Sequence, residues 1–284
     1  MTDTAAFERD GVLVGIDVLT REEADAYLAR IEAFEKSRAA DLPVPAIFRT
    51  GAHIAMTAVD ELVRHPGILE PVAALLGPDL MVWDSDVIIK EAGSEGFISW
   101  HQDLRYWGVD STDAVTAWLA LTNASGAMGC MRFIPGSHRE GLVDHTDTFQ
   151  DGNLLTRGQT VAREIDEKSA ILGALDAGQM SIHHGLTFHA SLPNRSDRRR
   201  VGLAIRYTTP AMRQIVADRD YAQLVAGEDR YGHFETVPRP AADGDAEAMA
   251  AWKRITDDQA AAYFAGVEAE KQSWTGGNAV SKPA

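Results

Sequence analysis

Between about residue 80 and residue 208 the sequence is a series of short apolar and β-branched segments, separated by turns that contain glycine or proline. Many short strands at this spacing are typical of a sandwich, a barrel or a jelly roll. The pattern therefore predicts a mainly β core. The predicted strands cover residues 81–90, 98–104, 114–121, 130–134, 178–184, 187–192 and 200–208.

Helical patterns flank this β-rich stretch. Thr20 and Glu23 form a capping-box pattern ahead of apolar residues at helical spacing, which predicts a helix over residues 21–37. A proline near its start and a Gly-Pro pair after its end predict a second helix over residues 66–76. One further helix is predicted near the C-terminus, at about residues 245–270.

The charge and the cysteine content of the chain exclude several classes of protein. With 42 acidic and 27 basic side chains, the net charge is −15 at pH 7, and nucleic-acid backbones and anionic membrane surfaces repel such a protein. Cys130 is the only cysteine, which rules out an internal disulfide and a thiolate metal site. Residues 1–20 lack the basic start and the apolar run of a signal peptide. We therefore expect a cytoplasmic protein.

His101 and Asp103 lie two residues apart in a predicted strand, so their side chains are expected on the same face of it. A histidine from a distant strand would complete two nitrogens and one carboxylate, the ligand set of non-haem Fe(II) oxygenases. The stretch 178–191 contains three candidate histidines. Arg200, on the next predicted strand, is suited to anchor an acidic cosubstrate.

Three longer motifs contain or follow this pair. They are Trp100-His101-Gln102-Asp103, Met131-Arg132-Phe133-Ile134-Pro135-Gly136-Ser137-His138 and His189-Ala190-Ser191-Leu192-Pro193-Asn194-Arg195-Ser196-Asp197. Together and in this order they resemble the phytanoyl-CoA dioxygenase family, whose members are oxygenases that use Fe(II), 2-oxoglutarate and O₂. The resemblance implies a mainly β fold with flanking helices, the double-stranded β-helix or cupin-like jelly roll.

The resemblance also implies which residues bind the metal. His101, Asp103 and His189 correspond to the iron ligands of the family. His183 and His184 are then expected to be core residues or polar groups beside the site. Because related halogenases lack the carboxylate so that chloride can bind, the presence of Asp103 favours hydroxylation.

Three further residues correspond to the cosubstrate pocket of the family. Arg200 is implied to pair with the distal carboxylate of 2-oxoglutarate, which a planar guanidinium can hold by two charge-assisted hydrogen bonds. Ser191 corresponds to a hydroxyl beside that arginine, and Trp118 to a tryptophan that lines the pocket. Lys90 is expected either to assist at this pocket or to lie in solvent at the end of a strand.

The substrate is the least constrained part of the prediction. Arg105 and Trp107 directly follow the ligand pair and are expected to line the substrate side, as are Arg132 and Arg206, although arginines at strand ends are commonly solvated or ion-paired. We expect hydroxylation of a small polar or anionic metabolite, such as an amino acid or a phosphonate, with release of succinate and CO₂. An acyl-CoA thioester is disfavoured because the sequence shows no obvious basic patch.

Two other functions remain open at this point. One is a cupin-type isomerase or hydrolase that binds Zn(II) or Mn(II) without 2-oxoglutarate, and Arg200 and Ser191 argue against it. The other is a non-catalytic 2-oxoglutarate-binding protein, which the intact ligand set disfavours. The sequence does not indicate an oligomeric state.

We expect one oxygenase domain over residues 1–284. The resemblance places its core at about residues 5–210, which leaves a C-terminal helical extension at about 211–274. Residues 275–284 are small and polar and are expected to be frayed. A polar insertion at 144–162 is either a lid over the site or simply a long loop.

Overall fold

The computed structural model describes residues 2–38, 44–264, 266–272 and 274. Its α-helices lie mostly before the β-rich region, and one long helix follows it. Among the described residues, no helix is both long and apolar enough to cross a membrane. The described α-helices are α1 (Thr4–Asp10), α2 (Arg21–Arg38), α3 (Val44–Arg49), α4 (Ala52–Ala55), α5 (Thr57–Leu62), α6 (Pro66–Leu76) and α7 (Ala246–Tyr263).

The described strands form a large sheet, a small sheet and a two-stranded ribbon. The large sheet has the order β1-β9-β4-β11-β2-β12-β13, the small sheet β3-β10-β5-β8, and the ribbon joins β6 to β7. This is the predicted double-stranded β-helix. The strands are β1 (Val12–Asp17), β2 (Leu80–Lys90), β3 (Ile98–His101), β4 (Ala114–Ala120), β5 (Met131–Phe133), β6 (His145–Asp147), β7 (Gln159–Val161), β8 (Ile171–Gly173), β9 (Gln179–His184), β10 (His189–Ser191), β11 (Arg200–Thr208), β12 (Tyr221–Ala226) and β13 (Glu235–Thr236).

The two faces of the large sheet have different neighbours, as β11 shows. Leu203, Ile205 and Tyr207 pack into an apolar core that includes residues of α2 to α6. The alternate residue Ala204 packs between the two sheets, and Arg206 on the same face lines a cavity. Because side chains of a strand alternate between its faces, Arg200, Ala204 and Arg206 of β11 form the floor of that cavity.

The helix predictions agree with the structure. The N–H of Glu23 donates to the Thr20 hydroxyl at 3.2 Å and the Glu23 carboxylate accepts from the Thr20 N–H at 2.8 Å, so the predicted capping box begins α2. The second helix has the predicted bounds. The C-terminal helix α7 begins one residue later and ends seven residues earlier than predicted.

One strand prediction was wrong in a way that matters for the site. The strand predicted over residues 98–104 ends at His101, and Asp103 begins a 3-10 helix (Asp103–Tyr106). The buried Gln102 side chain donates to the carbonyls of Gly141 and Leu186, each at 2.8 Å. These long-range bonds fix the chain where it leaves the sheet, so a turn, and not strand alternation, brings Asp103 beside His101.

The segment after residue 210 is also not simply a helical extension. Its strand β12 pairs antiparallel with β2 and so widens the large sheet, while α7 packs on the helical side through Trp252 and Ile255. Strands that span residues 12–236 share one sheet, and a single domain over residues 1–284 stays a prediction. Residues 275–284, predicted to be frayed, lie outside the described residues.

Candidate metal centre

The two sheet strands β3 and β10 bring His101 and His189 together. The two residues are direct cross-strand partners, and their ring centroids are 4.0 Å apart. Asp103 Oδ1 lies 3.5 Å from His101 Nε2 and 3.6 Å from His189 Nε2. One donor atom from each residue lies within 4.8 Å of the others, a spacing at which one ion can contact all three.

Backbone carbonyls determine which nitrogen of each histidine is available. His101 Nδ1 lies 2.9 Å from the carbonyl of Ser99, and His189 Nδ1 lies 3.0 Å from the carbonyl of Thr187. Because a carbonyl only accepts, each Nδ1 carries the proton and each Nε2 keeps a free lone pair. Both lone pairs are therefore available at the side that faces Asp103, as metal binding requires.

The second oxygen of Asp103 has its own partners. The Thr116 hydroxyl donates to Asp103 Oδ2 at 2.6 Å, and His183 Nε2 lies 3.3 Å from the same atom. Thr116 and His183 are themselves cross-strand partners on β4 and β9. The carboxylate is thus held from one side by the large sheet, while Oδ1 remains directed at the histidines.

The protonation of Asp103 and His189 suits a cation. Burial opposes ionisation of Asp103, but His189, His101 and His183 together hold its pKa well below the usual range. Burial, followed by the neighbouring His101 and His183, holds the pKa of His189 well below its usual range. A carboxylate beside neutral imidazoles is the form in which these side chains bind metals.

His184, the third histidine of the stretch 178–191, does not contact the three candidate ligands. His184 accepts a hydrogen bond from the N–H of Leu186 at 3.1 Å and its ring lies 5.4 Å from that of His138. Burial lowers the pKa of His184 to about 4. The structure therefore brings His189, and not His184, to His101 and Asp103.

Arg200 and Trp118, both named in the sequence analysis, lie together at the cavity. Arg200 is 1% exposed, donates to the Gly129 carbonyl, and its Nε has no partner among the described residues. Its guanidinium lies 5.2 Å from the centre of the Trp118 ring. A Cβ at Gly202 would lie 2.0 Å from Trp118 Cζ2, so a glycine is needed for the indole to lie flat there.

Lys90 is buried beside Ser191, which lines this end of the cavity, and is not in solvent. Its Nζ donates to the Ser191 hydroxyl at 2.7 Å and to the Leu192 carbonyl at 2.5 Å. Burial, assisted by Arg200, lowers the pKa of Lys90 to about 6. Burial lowers the pKa of Arg200 to about 10. Two basic groups without an acidic partner among the described residues form an end suited to a carboxylate.

The opposite end of the cavity contains Arg206, which the sequence analysis named, and two aspartates that it did not name, Asp84 and Asp86. Arg206 is the cross-strand partner of Asp84, just as Arg200 is the partner of Lys90. Six residues along β11 span about 20 Å. Asp84 and Asp86 could have been found, because they are charged residues at period two inside an otherwise apolar strand.

The predicted substrate residues divide between the cavity and the surface. Trp107 is buried, lines the cavity and stacks on Trp83 with ring centroids 4.4 Å apart. Arg105 is exposed and lines a separate shallow depression. Arg132 pairs with Glu167 at 2.9 Å and is not among the residues that line the cavity.

The three metal-site residues, Arg200 and the residues of the opposite end line one cavity. The polar insertion contributes to its wall through Leu155, Thr156 and Gln159, and α7 contributes Gln259 and Tyr263. Hydrogen bonds connect the insertion to the 3-10 helix and to α7. The hydroxyl of Tyr106, in the 3-10 helix, donates to Asp147 of the insertion at 2.8 Å. Arg157 of the insertion donates to the carbonyl of Tyr263, in α7, at 2.6 Å.

Comparison with known proteins agrees with this geometry. A family model described as phytanoyl-CoA dioxygenase matches residues 7–202. A probable alpha-ketoglutarate-dependent hypophosphite dioxygenase of Stutzerimonas stutzeri is 30% identical over 188 residues, which are 65% of this chain and 61% of that protein. The ectoine dioxygenase of Bordetella parapertussis is 28% identical over 51% of this chain and 52% of its own length. The chain thus matches about half to three fifths of the length of these relatives.

Solved structures extend the similarity over most of the chain. The apo form of a non-heme monooxygenase, ThoJ, has a TM-score of 0.81 at 36% identity and covers 90% of this chain and 95% of its own. Its nickel complex has a TM-score of 0.76 at 33% identity, with 90% and 96% covered. CytC3 with Fe(II) and alpha-ketoglutarate, at 22% identity and a TM-score of 0.61 over 83% and 97% of the two chains, shares the fold.

Proposed function

The chain belongs to the phytanoyl-CoA dioxygenase family, and from that membership we propose that it is an Fe(II)- and 2-oxoglutarate-dependent dioxygenase. Its reaction would hydroxylate an unactivated C–H bond of a small polar or anionic metabolite in the cytoplasm. The observation that carries the proposal is the convergence of His101 Nε2, His189 Nε2 and Asp103 Oδ1 within 4.8 Å, in one cavity with Arg200.

The three donor atoms would hold Fe(II) on one face and leave its other positions open to the cavity. When bound, Fe(II) with 2-oxoglutarate and O₂ supplies an oxidation in which R–H is converted to R–OH while 2-oxoglutarate becomes succinate and CO₂. The protonated Nδ1 atoms, fixed by the carbonyls of Ser99 and Thr187, keep the lone pairs directed at the metal. With a carboxylate as third ligand, hydroxylation is favoured over halogenation.

The basic end of the cavity would bind the distal carboxylate of 2-oxoglutarate. Arg200 Nε has no hydrogen-bond partner there among the residues that the structure describes, and Lys90 Nζ lies 2.7 Å from the Ser191 hydroxyl. A bound carboxylate would supply the negative charge that these two buried bases lack. Trp118 covers the guanidinium from one side, which orients it and excludes water.

The proposal is tested by measuring succinate release with Fe(II), 2-oxoglutarate and O₂ over a panel of small amino acids, phosphonates and carboxylic acids. His101→Ala, Asp103→Ala and His189→Ala should each abolish succinate formation, because each removes a ligand. His184→Ala is the matched control, a half-buried histidine five residues from His189, and should keep the activity.

Two results would contradict the proposal. Activity in His189→Ala combined with its loss in His184→Ala would overturn the assignment of the distal ligand. Turnover of a substrate with Zn(II) or Mn(II) in the absence of 2-oxoglutarate would favour a cupin-type metalloenzyme.

A further inference from the structure

The end of the cavity remote from Arg200 is built from charged side chains of three elements. Asp84 and Asp86 come from β2, Arg206 from β11 and Arg49 from the end of α3, and all four line the cavity. We refer to these four residues as the polar end. Two acids and two bases give it no excess of positive charge, so its hydrogen-bonding partners decide what it can bind.

The arginine of β11 is already occupied. Arg206 lies 3.2 Å from Asp84 Oδ2 and 2.7 Å from Asp86 Oδ2. Burial opposes its charge, but the two aspartates hold the pKa of Arg206 above its usual range. Because its guanidinium is bound by two carboxylates, Arg206 is not the group that receives a substrate anion.

Asp84 is occupied as well. Its Oδ1 accepts from the N–H of Gly51 at 2.7 Å and from its neighbour Ser85 N–H at 2.8 Å. The Thr50 hydroxyl lies 3.4 Å from the same carboxylate. Asp84 therefore links the turn before α4 to Arg206 of β11, and its carboxylate has few lone pairs left to accept a hydrogen bond from a ligand.

Asp86 differs from its neighbour in this respect. The residue is 6% exposed, and its Oδ2 is bound by Arg206, but its Oδ1 is buried and has no hydrogen-bond partner among the described residues. An unpaired carboxylate oxygen away from water carries a substantial desolvation cost. A donor group on a ligand would remove that cost.

Arg49 offers the complementary atom. Its guanidinium donates to the carbonyl of Leu154, but its buried Nε has no partner among the described residues. Within the part of the chain that the structure describes, the polar end thus presents one unpaired acceptor oxygen, on Asp86, and one unpaired donor, on Arg49. A group that carries both a donor and an acceptor would satisfy both atoms.

The walls beside the polar end are aromatic. Trp83 and Trp107 stack at 4.4 Å, and the rings of Tyr106 and Tyr263 are 6.0 Å apart, and all four line the cavity. The negative faces of aromatic rings attract cations. They therefore favour a charged ammonium donor over a neutral hydroxyl.

We propose that the substrate carries a protonated amine that donates to Asp86 Oδ1, with an acceptor oxygen, such as a carboxylate, at Arg49 Nε. The substrate class is then an amine or a zwitterion, and not a purely anionic metabolite. This inference rests on the proposed function, because it assigns the polar end to the substrate and the basic end to 2-oxoglutarate.

Three probes that share the same unbranched alkyl chain test the proposal. L-norleucine carries both groups, hexanoate lacks the amine, and n-pentylamine lacks the carboxylate. Their binding to the protein loaded with Ni(II) and 2-oxoglutarate, which does not turn over, is measured by titration calorimetry. We expect L-norleucine and n-pentylamine to bind, and hexanoate to bind at least roughly tenfold more weakly.

Two variants locate the effect. Asp86→Asn should weaken both amine probes by roughly 10–100-fold and leave the affinity for 2-oxoglutarate unchanged. Asp84→Asn is the matched control, because it removes one carboxylate from the same ion-pair cluster. Backbone N–H groups already bind the Asp84 carboxylate, so the affinity for the amine probes should fall less in Asp84→Asn than in Asp86→Asn.

The failures of the two proposals are distinguishable. If the wild-type protein with Ni(II) does not bind 2-oxoglutarate, the proposed function fails. If it binds 2-oxoglutarate but hexanoate binds as tightly as L-norleucine, or no amine probe binds at millimolar concentration, the assignment of an amine to Asp86 is overturned. Equal losses in Asp84→Asn and Asp86→Asn would also overturn it.

Discussion

The Thr116 hydroxyl shows how residues outside the ligand set determine the geometry of the site. It donates to Asp103 Oδ2 at 2.6 Å, and His183 approaches the same oxygen. Without these two partners, either oxygen of Asp103 could turn towards the histidines. Residues of the large sheet thus orient a ligand that lies in a turn beside the small sheet.

Thr116→Val tests this role, because it keeps the shape of the side chain and removes the hydroxyl. We expect the affinity for Ni(II) to fall by roughly 10–100-fold, as measured by titration calorimetry. Thr146→Val, on the ribbon strand β6, is the control and should bind Ni(II) as the wild type does. Unchanged affinity in Thr116→Val would show that His183 alone positions Asp103.

At the scale of elements, the strand pattern predicted β2, β4, β9 and β11 closely, because each has apolar residues at alternate positions over most of its length. The turn at Asp103 was not predictable, because the bonds that fix Gln102 come from Gly141 and Leu186, 39 and 84 residues away. Strand β12 was missed because its mixed pattern, Tyr-Ala-Gln-Leu-Val-Ala, gains its stability by pairing with β2.

Some residues of the candidate site could also be predicted from the sequence, and others could not. His101, His189 and Arg200 were predictable from motifs, since the register of β3 with β10 and of β11 with β2 follows from the fold. Asp86 was not singled out, because the absence of a partner for its Oδ1 depends on side chains from three separate elements.

The close approach of β11 and β4 at Gly202 allows a test at this scale. In Gly202→Ala the new Cβ would lie 2.0 Å from Trp118 Cζ2, so the indole must move away from Arg200. We expect the affinity for 2-oxoglutarate to fall by at least roughly tenfold, together with a loss of about 1–3 kcal/mol in the free energy of unfolding. Calorimetric titration and urea denaturation measure the two effects.

Gly126→Ala is the matched control for that change. A Cβ there would meet its nearest atom, Leu172 Cδ1, at 3.6 Å, an ordinary contact. Gly126→Ala should therefore keep wild-type affinity for 2-oxoglutarate. Equal affinities in both variants would show that Trp118 does not position Arg200.

At the scale of the whole molecule, the buried basic residues beside the cavity lower the free energy of unfolding. Lys90 and Arg200 are both 1% exposed, and burial lowers the pKa of Lys90 to about 6 from the 10.5 of an exposed lysine. Between these values the unfolded chain binds a proton that the folded chain does not. The contribution of Lys90 to stability therefore falls as the pH decreases from about 10 to about 6.

Lys90→Met removes this pH dependence. Both proteins are compared in the absence of 2-oxoglutarate. We expect the melting temperature of the variant minus that of the wild type to be larger at about pH 7 than at about pH 9.5. Thermal melts followed by circular dichroism at the two pH values measure the difference. The same difference at both pH values would mean that Lys90 titrates as an exposed lysine does.

The shared register of β2 and β11 has a consequence for how substrate preference can diversify. Lys90 and Arg200 form one cross-strand pair, Asp84 and Arg206 another, and six residues separate them on each strand. Inserting or deleting one residue between them would turn one pair out of the cavity. Oxygenases that share this site and differ in substrate are therefore expected to vary by replacement at positions 84, 86 and 206, with the length of both strands kept.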